Sequence, residues 1–159
     1  MNELLIGLDE ARRRRGVTLG ICEIDSIATR LAGHGSVSCR LAGSCIGTFF
    51  VVEPNGDIDH CSRFGTDERY TFGSVVEHDF SRLRRSVRMI ERRAESAAAV
   101  DRRRGCPDVD VCQGGCPHDR VVEARHDPDH DPGCCGRRPL IAHLRAARST
   151  PVAVGAPRR

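Results

Sequence analysis

The 159-residue chain contains no tryptophan, one tyrosine and five phenylalanines. Its core must therefore be built with few aromatics, and something besides hydrophobic burial has to hold a chain of this size together. Lysine is also absent, so all 25 basic residues are arginine, a one-sided usage that looks like a coding bias. No stretch approaches the roughly 18 apolar residues of a spanning helix, which argues against a membrane segment. The apolar run Leu4 to Leu8 is too short for a signal sequence and is followed by Asp9 and Glu10, so the chain reads as cytoplasmic. The arginine runs Arg12 to Arg15 and Arg102 to Arg104 sit beside acids without interleaved aromatics, against a formal charge of only +3. That pattern suits solvated helix ends better than a nucleic-acid surface.

What the chain has in excess is cysteine. Nine are present, most of them between Cys39 and Cys135. In a reducing compartment such a framework binds metal in preference to forming disulfides, and an odd number could not pair completely. Adjacent histidines, His60 beside Cys61 and His118 near Cys116, are read as surface or packing residues. Cys22 is read as a buried small hydrophobe in a strand.

The periodicity predicts a helix over 2–15, stopped by Gly16, and a strand within Val17 to Ile27. Thr48 to Glu53 and Asp57 to His60 flank Pro54-Asn55-Gly56, the turn chemistry of a β-hairpin. Apolar residues at Phe80, Leu83, Val87, Ile90, Ala94 and Ala97 predict one long amphipathic helix from Asp79 to about Arg102. Cys106 to Cys116 should be loop or short turns. Residues 126–133 are too rich in Pro, Asp and Gly to continue a helix, and Pro139 to Arg148 form a last short one. The expected organisation is an N-terminal helix and strand over 1–35, a cysteine-bearing α+β domain over 36–145, and a disordered tail over 146–159.

Four thiolates converging from separated loops suit a four-iron cluster. Cys45 and Cys61 flank the predicted hairpin and meet at its open end, with Cys39 on the entering loop. The long helix can return Cys116 to the same end as a fourth ligand. The Gly114-Gly115 pair either brings backbone N–H groups to a cluster or forms a plain turn.

These spacings resemble the SPASM domain, the auxiliary iron-sulfur domain of radical S-adenosylmethionine enzymes that modify peptides and proteins. Cys45, ten residues, Gly56, four residues and Cys61 match its hairpin motif. Cys106-x5-Cys112-x3-Cys116 and then Cys134 match the later part. The resemblance implies a small irregular α+β SPASM-like domain with a hairpin and a long helix, stapled by clusters. It assigns a first [4Fe-4S] cluster to Cys39, Cys45, Cys61 and Cys116, and a second to position 103, Cys106, Cys112 and Cys134. Position 103 is arginine, whose guanidinium has no lone pair for iron. The second site is then a three-cysteine cluster with an open iron, a site completed by Cys135, Asp108, Asp110, His126 or His130, or vacant. Neighbouring side chains in an extended segment diverge, so only one of Cys134 and Cys135 is expected to face a given cluster.

The C-x3-C-x2-C loop that cleaves S-adenosylmethionine is absent, so no S-adenosylmethionine is expected on this chain and it should not act as an enzyme alone. The abrupt N-terminal helix resembles the end of the missing barrel. The function implied is auxiliary electron transfer or substrate positioning beside a radical S-adenosylmethionine enzyme, with a peptide or protein substrate and no nucleic acid or membrane partner. The alternatives are a zinc-stapled interaction module and a nonfunctional truncated fragment.

Overall fold

The computed structural model describes residues 1–35, 38–65, 67–126, 129 and 134–149. In chain order these form α1 (Asn2–Arg15), α2 (Cys22–Leu31), β1 (Val51–Val52), β2 (Asp57–Asp59), β3 (Thr71–Ser74), α3 (Phe80–Arg84), α4 (Val87–Asp101), α5 (Val109–Cys112), α6 (Pro117–His126) and α7 (Arg138–Ser149). The class is α+β, with a three-stranded antiparallel sheet ordered β1-β2-β3. Contacts divide the chain into two units, Met1–Ser38 with Arg137–Arg159, and Cys39–Gly136.

The first unit is helical. Helix α1 ends where the sequence predicts: Gly16 takes φ 62°, and the cap N–H groups reach the Arg12 and Arg13 carbonyls. The expected strand over 17–27 is instead α2, whose Ile24 and Ile27 are fully buried. A helix places residues three apart on one face, so these two isoleucines reach Leu140, Ile141 and Leu144 of α7, also buried in the unit's core. Cys22 correspondingly lies exposed at the start of α2, not buried in a strand. Helix α7 continues through Ser149, so the expected tail is helical over its first residues, and 150–159 lie outside the described residues.

Asp9 is the polar centre of this unit. Its buried carboxylate accepts from Arg12 at 2.9 Å, Arg13 at 2.7 Å and His143 at 3.0 Å. Burial pushes the carboxyl up, but the bonds from Arg13, His143 and Arg12 together hold it below its ordinary value.

The second unit carries the sheet. The hairpin forms where predicted but is shorter, with Val51 opposite Asp59 and Val52 opposite Ile58. Gly56 alone of the turn residues takes positive φ, at 88°, while Asn55 acts through its side chain, accepting the Asp57 N–H at 3.1 Å. A Cβ on Gly56 would lie 2.5 Å from Val76 Cγ2, because β3 closes over the turn. Strand β3 was not foreseen, although Tyr70-Thr71-Phe72 carries the β-branched and aromatic signal.

Ile46, Ile58, Tyr70, Phe72, Leu83 and Met89 form the core of this unit, with Phe50, Phe64 and Val121 against it. Phe64 stacks on Tyr70 at a centroid distance of 3.6 Å. The single helix expected over 79–102 is two. Asp79 caps α3 through the Arg82 N–H, and Ser86 caps α4 through the Met89 N–H, so two N-caps interrupt the run. The break rotates the second helix: Val87, Ile90, Ala94 and Ala97 are exposed, and Met89, Ser96, Ala99 and Arg103 are buried instead.

Two outcomes test this description. Asp9→Asn should lower unfolding free energy by about 2 kcal/mol at neutral pH. A depressed carboxylate contributes stability present above about pH 4 and lost as pH falls through its lowered value. The difference between the two proteins in urea melts should therefore narrow in that acid range. Gly56→Ala should cost about 1–3 kcal/mol in the same assay, through positive φ and the Val76 clash.

Candidate metal centre

The cysteines of the second unit sit at element ends. Cys39 opens a 3₁₀ turn anchored by buried Leu41. The Cys45 carbonyl accepts the N–H groups of Thr48 and Phe49, turning the chain toward β1. Cys61 follows β2, where the His60 N–H reaches the Tyr70 carbonyl. Cys116 lies directly before α6, and its carbonyl accepts the Arg120 N–H.

These four segments converge. Burial pushes the Cys45 thiol up to about 11, and the negative charges of Cys116, Cys39 and Cys61 push in the same direction. Those three are the other cysteines of the predicted first set, and the Arg120 charge also acts on Cys45.

A second group forms around Cys112. A hydrogen bond from Cys135 holds its thiol below the ordinary value against the cost of burial, helped by the Gly114 N–H and opposed by the charges of Cys106 and Cys134. Both adjacent cysteines, Cys134 and Cys135, therefore act on Cys112. Gln113, Gly114 and Gly115 take φ of 52°, 79° and 73° in succession, which turns the chain from α5 to Cys116 and aims the Gly114 N–H at sulfur.

Arg103, where the resemblance implies a ligand, acts on the backbone instead. Its buried guanidinium donates to the carbonyls of Cys134 and Ala99, both at 3.2 Å, and so fixes the backbone that carries Cys134. Asp108 is buried, Asp110 and His126 are exposed, and His130 lies outside the described residues. Among the described residues no three His, Cys, Asp or Glu side chains converge tightly enough to hold a single metal ion.

The chain folds like one part of anSMEcpe. The native enzyme with bound AdoMet aligns with 92% of this chain and 40% of its own, at a TM-score of 0.68 and 19% identity. Its structure with bound AdoMet and Cp18Cys peptide gives the same score and identity, and that with Kp18Cys peptide gives 0.64 and 18%. anSMEcpe is a radical S-adenosylmethionine maturase of SPASM type. The chain spans about 40% of that enzyme's length. No family model and no curated protein matches the sequence. At this identity the likeness shows a shared fold alone.

The structure adds residues that cysteine spacing did not reveal. Asp119, 8% exposed, receives Arg40 at 2.9 Å and Arg63 at 2.8 Å. Arg40 directly follows Cys39, Arg63 lies just past Cys61 and Asp119 just past Cys116, so one carboxylate ties three cysteine-bearing segments together. Arg63 also reaches Cys116 Sγ at 3.6 Å. His60, expected at the surface or in packing, is 1% exposed and packs near Phe64 and Tyr70, with Nε2 3.4 Å from Cys45 Sγ. Burial lowers its pKa, favouring the neutral ring. His118 packs edge-on against Phe64 at 5.2 Å, as a packing residue should. The signal available in sequence was the placement of charged residues within a few positions of each cysteine.

Removing the Asp119 charge leaves two guanidiniums without their carboxylate. Asp119→Ala should destabilise the metal-free chain by about 2–3 kcal/mol. It should also speed alkylation of Cys116, which is 7% exposed, while leaving the rate at exposed Cys22 unchanged by peptide mass spectrometry.

Proposed function

We propose that this chain is a SPASM-like iron-sulfur protein, the auxiliary part of a radical S-adenosylmethionine system that modifies a peptide or protein. The first [4Fe-4S] site is Cys39, Cys45, Cys61 and Cys116; the second is Cys106, Cys112, Cys134 and Cys135. The observation that carries this reading is the geometry around the first set: Asp119 joins the segments of Cys39, Cys61 and Cys116 through Arg40 and Arg63, and His60, next to Cys61, lies 3.4 Å from Cys45 Sγ. The donor chemistry fits. Each group offers four thiols, and the Cys45 group repels itself as thiolates until cationic iron shares the charge.

Bound clusters would supply one-electron redox chemistry. This chain's own residues prepare the sulfurs for it. Arg63 donates to Cys116, and the Gly114 N–H to Cys112, interactions that stabilise negative charge on sulfur and raise a cluster's reduction potential. Cys135 takes the ligand role left open by Arg103, while Arg103 holds the neighbouring backbone. The partner is a radical S-adenosylmethionine enzyme or barrel. The chain's role beside it is electron transfer or positioning of the substrate, consistent with a fold shared with a maturase solved with peptides.

Anaerobic purification with iron, sulfide and zinc analysis tests the reading. The full chain should hold about eight irons and absorb near roughly 400 nm. Cys116→Ala and Cys135→Ala should each remove about half of that iron, and Cys22→Ala none. A colourless, zinc-loaded protein would overturn the proposal, and full iron retention in Cys135→Ala would overturn the second ligand set.

A further inference from the structure

The second unit contains an open cavity of about 660 Å³ whose lining is strongly cationic. Six arginines border it, Arg69, Arg92, Arg102, Arg103, Arg120 and Arg125, against one lining carboxylate, Glu95. Three of them are balanced locally. Arg92 pairs with Glu95 at 2.7 Å, and Arg69 and Arg125 share Asp67 at 2.6 and 3.4 Å.

Arg103 and Arg120 have no carboxylate partner among the described residues. Arg103 is held by the two backbone carbonyls already described. Arg120 donates to the carbonyls of Gly114 at 3.1 Å and Gly115 at 3.0 Å and to the Ser96 hydroxyl at 2.9 Å. Carbonyl and hydroxyl oxygens satisfy N–H groups but do not neutralise charge. Arg103 is buried and Arg120 half-buried, and the charge of Arg103 acts on Arg120 against the charges of Cys116 and Cys45. Like charges brought together partly out of water favour an anion beside them.

The remaining walls are apolar. Ile46, Tyr70, Pro117 and Val121 face the same space, and Arg69 and Arg92 lie about 6 Å from the Tyr70 ring centroid. A volume of this size accepts a ligand of a few residues, with carboxylates for the guanidiniums and an aliphatic group for the wall.

We infer that this cavity is a docking site for a short acidic peptide segment, recognised through glutamate or aspartate side chains beside an aliphatic residue. The inference rests on the peptide-substrate reading above and adds the class of sequence recognised. Exposed Arg102 and partly paired Arg125 form its rim, and Arg103 and Arg120 its floor.

The test uses the anaerobically reconstituted full chain and a fluorescently labelled glutamate-rich peptide containing leucine, with its glutamine counterpart, followed by anisotropy. The glutamate peptide should bind and the glutamine peptide should bind at least about tenfold more weakly. The rim double variant Arg102→Glu/Arg125→Glu, which leaves the buried arginines and every cysteine in place, should weaken glutamate-peptide binding by about tenfold or more. The control Arg84→Glu/Arg85→Glu changes net charge equally outside the cavity lining and should leave binding within about twofold. Equal loss in both variants would reduce the effect to net charge and overturn the site. Equal affinity for the two peptides, or no binding of either, would also overturn it and leave the buried arginines as counter-charge for the cysteines alone. Iron and sulfide measured on the same samples separate failure of this site from failure of the cluster reading.

Discussion

Asp119 is the contact on which the cysteine-bearing unit depends. The segments holding Cys39, Cys61 and Cys116 are far apart in sequence, and the sheet among them is slight, with two-, three- and four-residue strands. A small sheet of this kind is marginal without further support. The Arg40–Asp119–Arg63 arrangement supplies a charged cross-link at the point where the segments meet. Its cost is desolvation of a largely buried carboxylate, offset by two guanidiniums and multiple hydrogen bonds. Phe64 and Tyr70, stacked beside it, extend the same junction into the apolar core.

The surroundings of the two cysteine groups are unlike each other. Around Cys45 the dominant influence is burial, with neighbouring thiolate charge adding to it. Around Cys112 hydrogen bonds from Cys135 and Gly114 lead in the opposite direction. Thiolate charge is thus opposed at Cys45 and supported at Cys112. The successive left-handed residues from Gln113 to Gly115 are what separate the groups, because they let the chain leave Cys112 and enter α6 at Cys116 within one tight turn.

The fold was legible where local chemistry dominates. Gly16 ends α1 because only a residue without Cβ enters the left-handed region cheaply, and Pro54-Asn55-Gly56 makes a turn for related reasons. It was misread where short apolar runs suit two periodicities. Cys22 to Ile27 is helical because α2 has α7 to pack against, information that is absent from the segment itself. The α3–α4 break was visible as Asp79 and Ser86, two N-cap residues, but the continuous apolar pattern outweighed them. The consequence reaches the site, since the rotated α4 buries Met89 and Ser96 rather than Ile90 and Ala94 and leads into buried Arg103 just past its end.

By itself the sequence determined the α+β class and the hairpin with its glycine, and its cysteine spacing led to the proposal of Cys39, Cys45, Cys61 and Cys116 as one set. Turn residues and spacings act over short stretches of chain, so they are written locally. Only the tertiary structure decided that Cys135 joins Cys112, that Arg103 secures a backbone carbonyl in place of a ligand, and that Asp119 gathers three loops. Those outcomes depend on which charges share a buried space, and Coulomb and hydrogen-bond energies depend on separation and burial in three dimensions, not on distance along the chain.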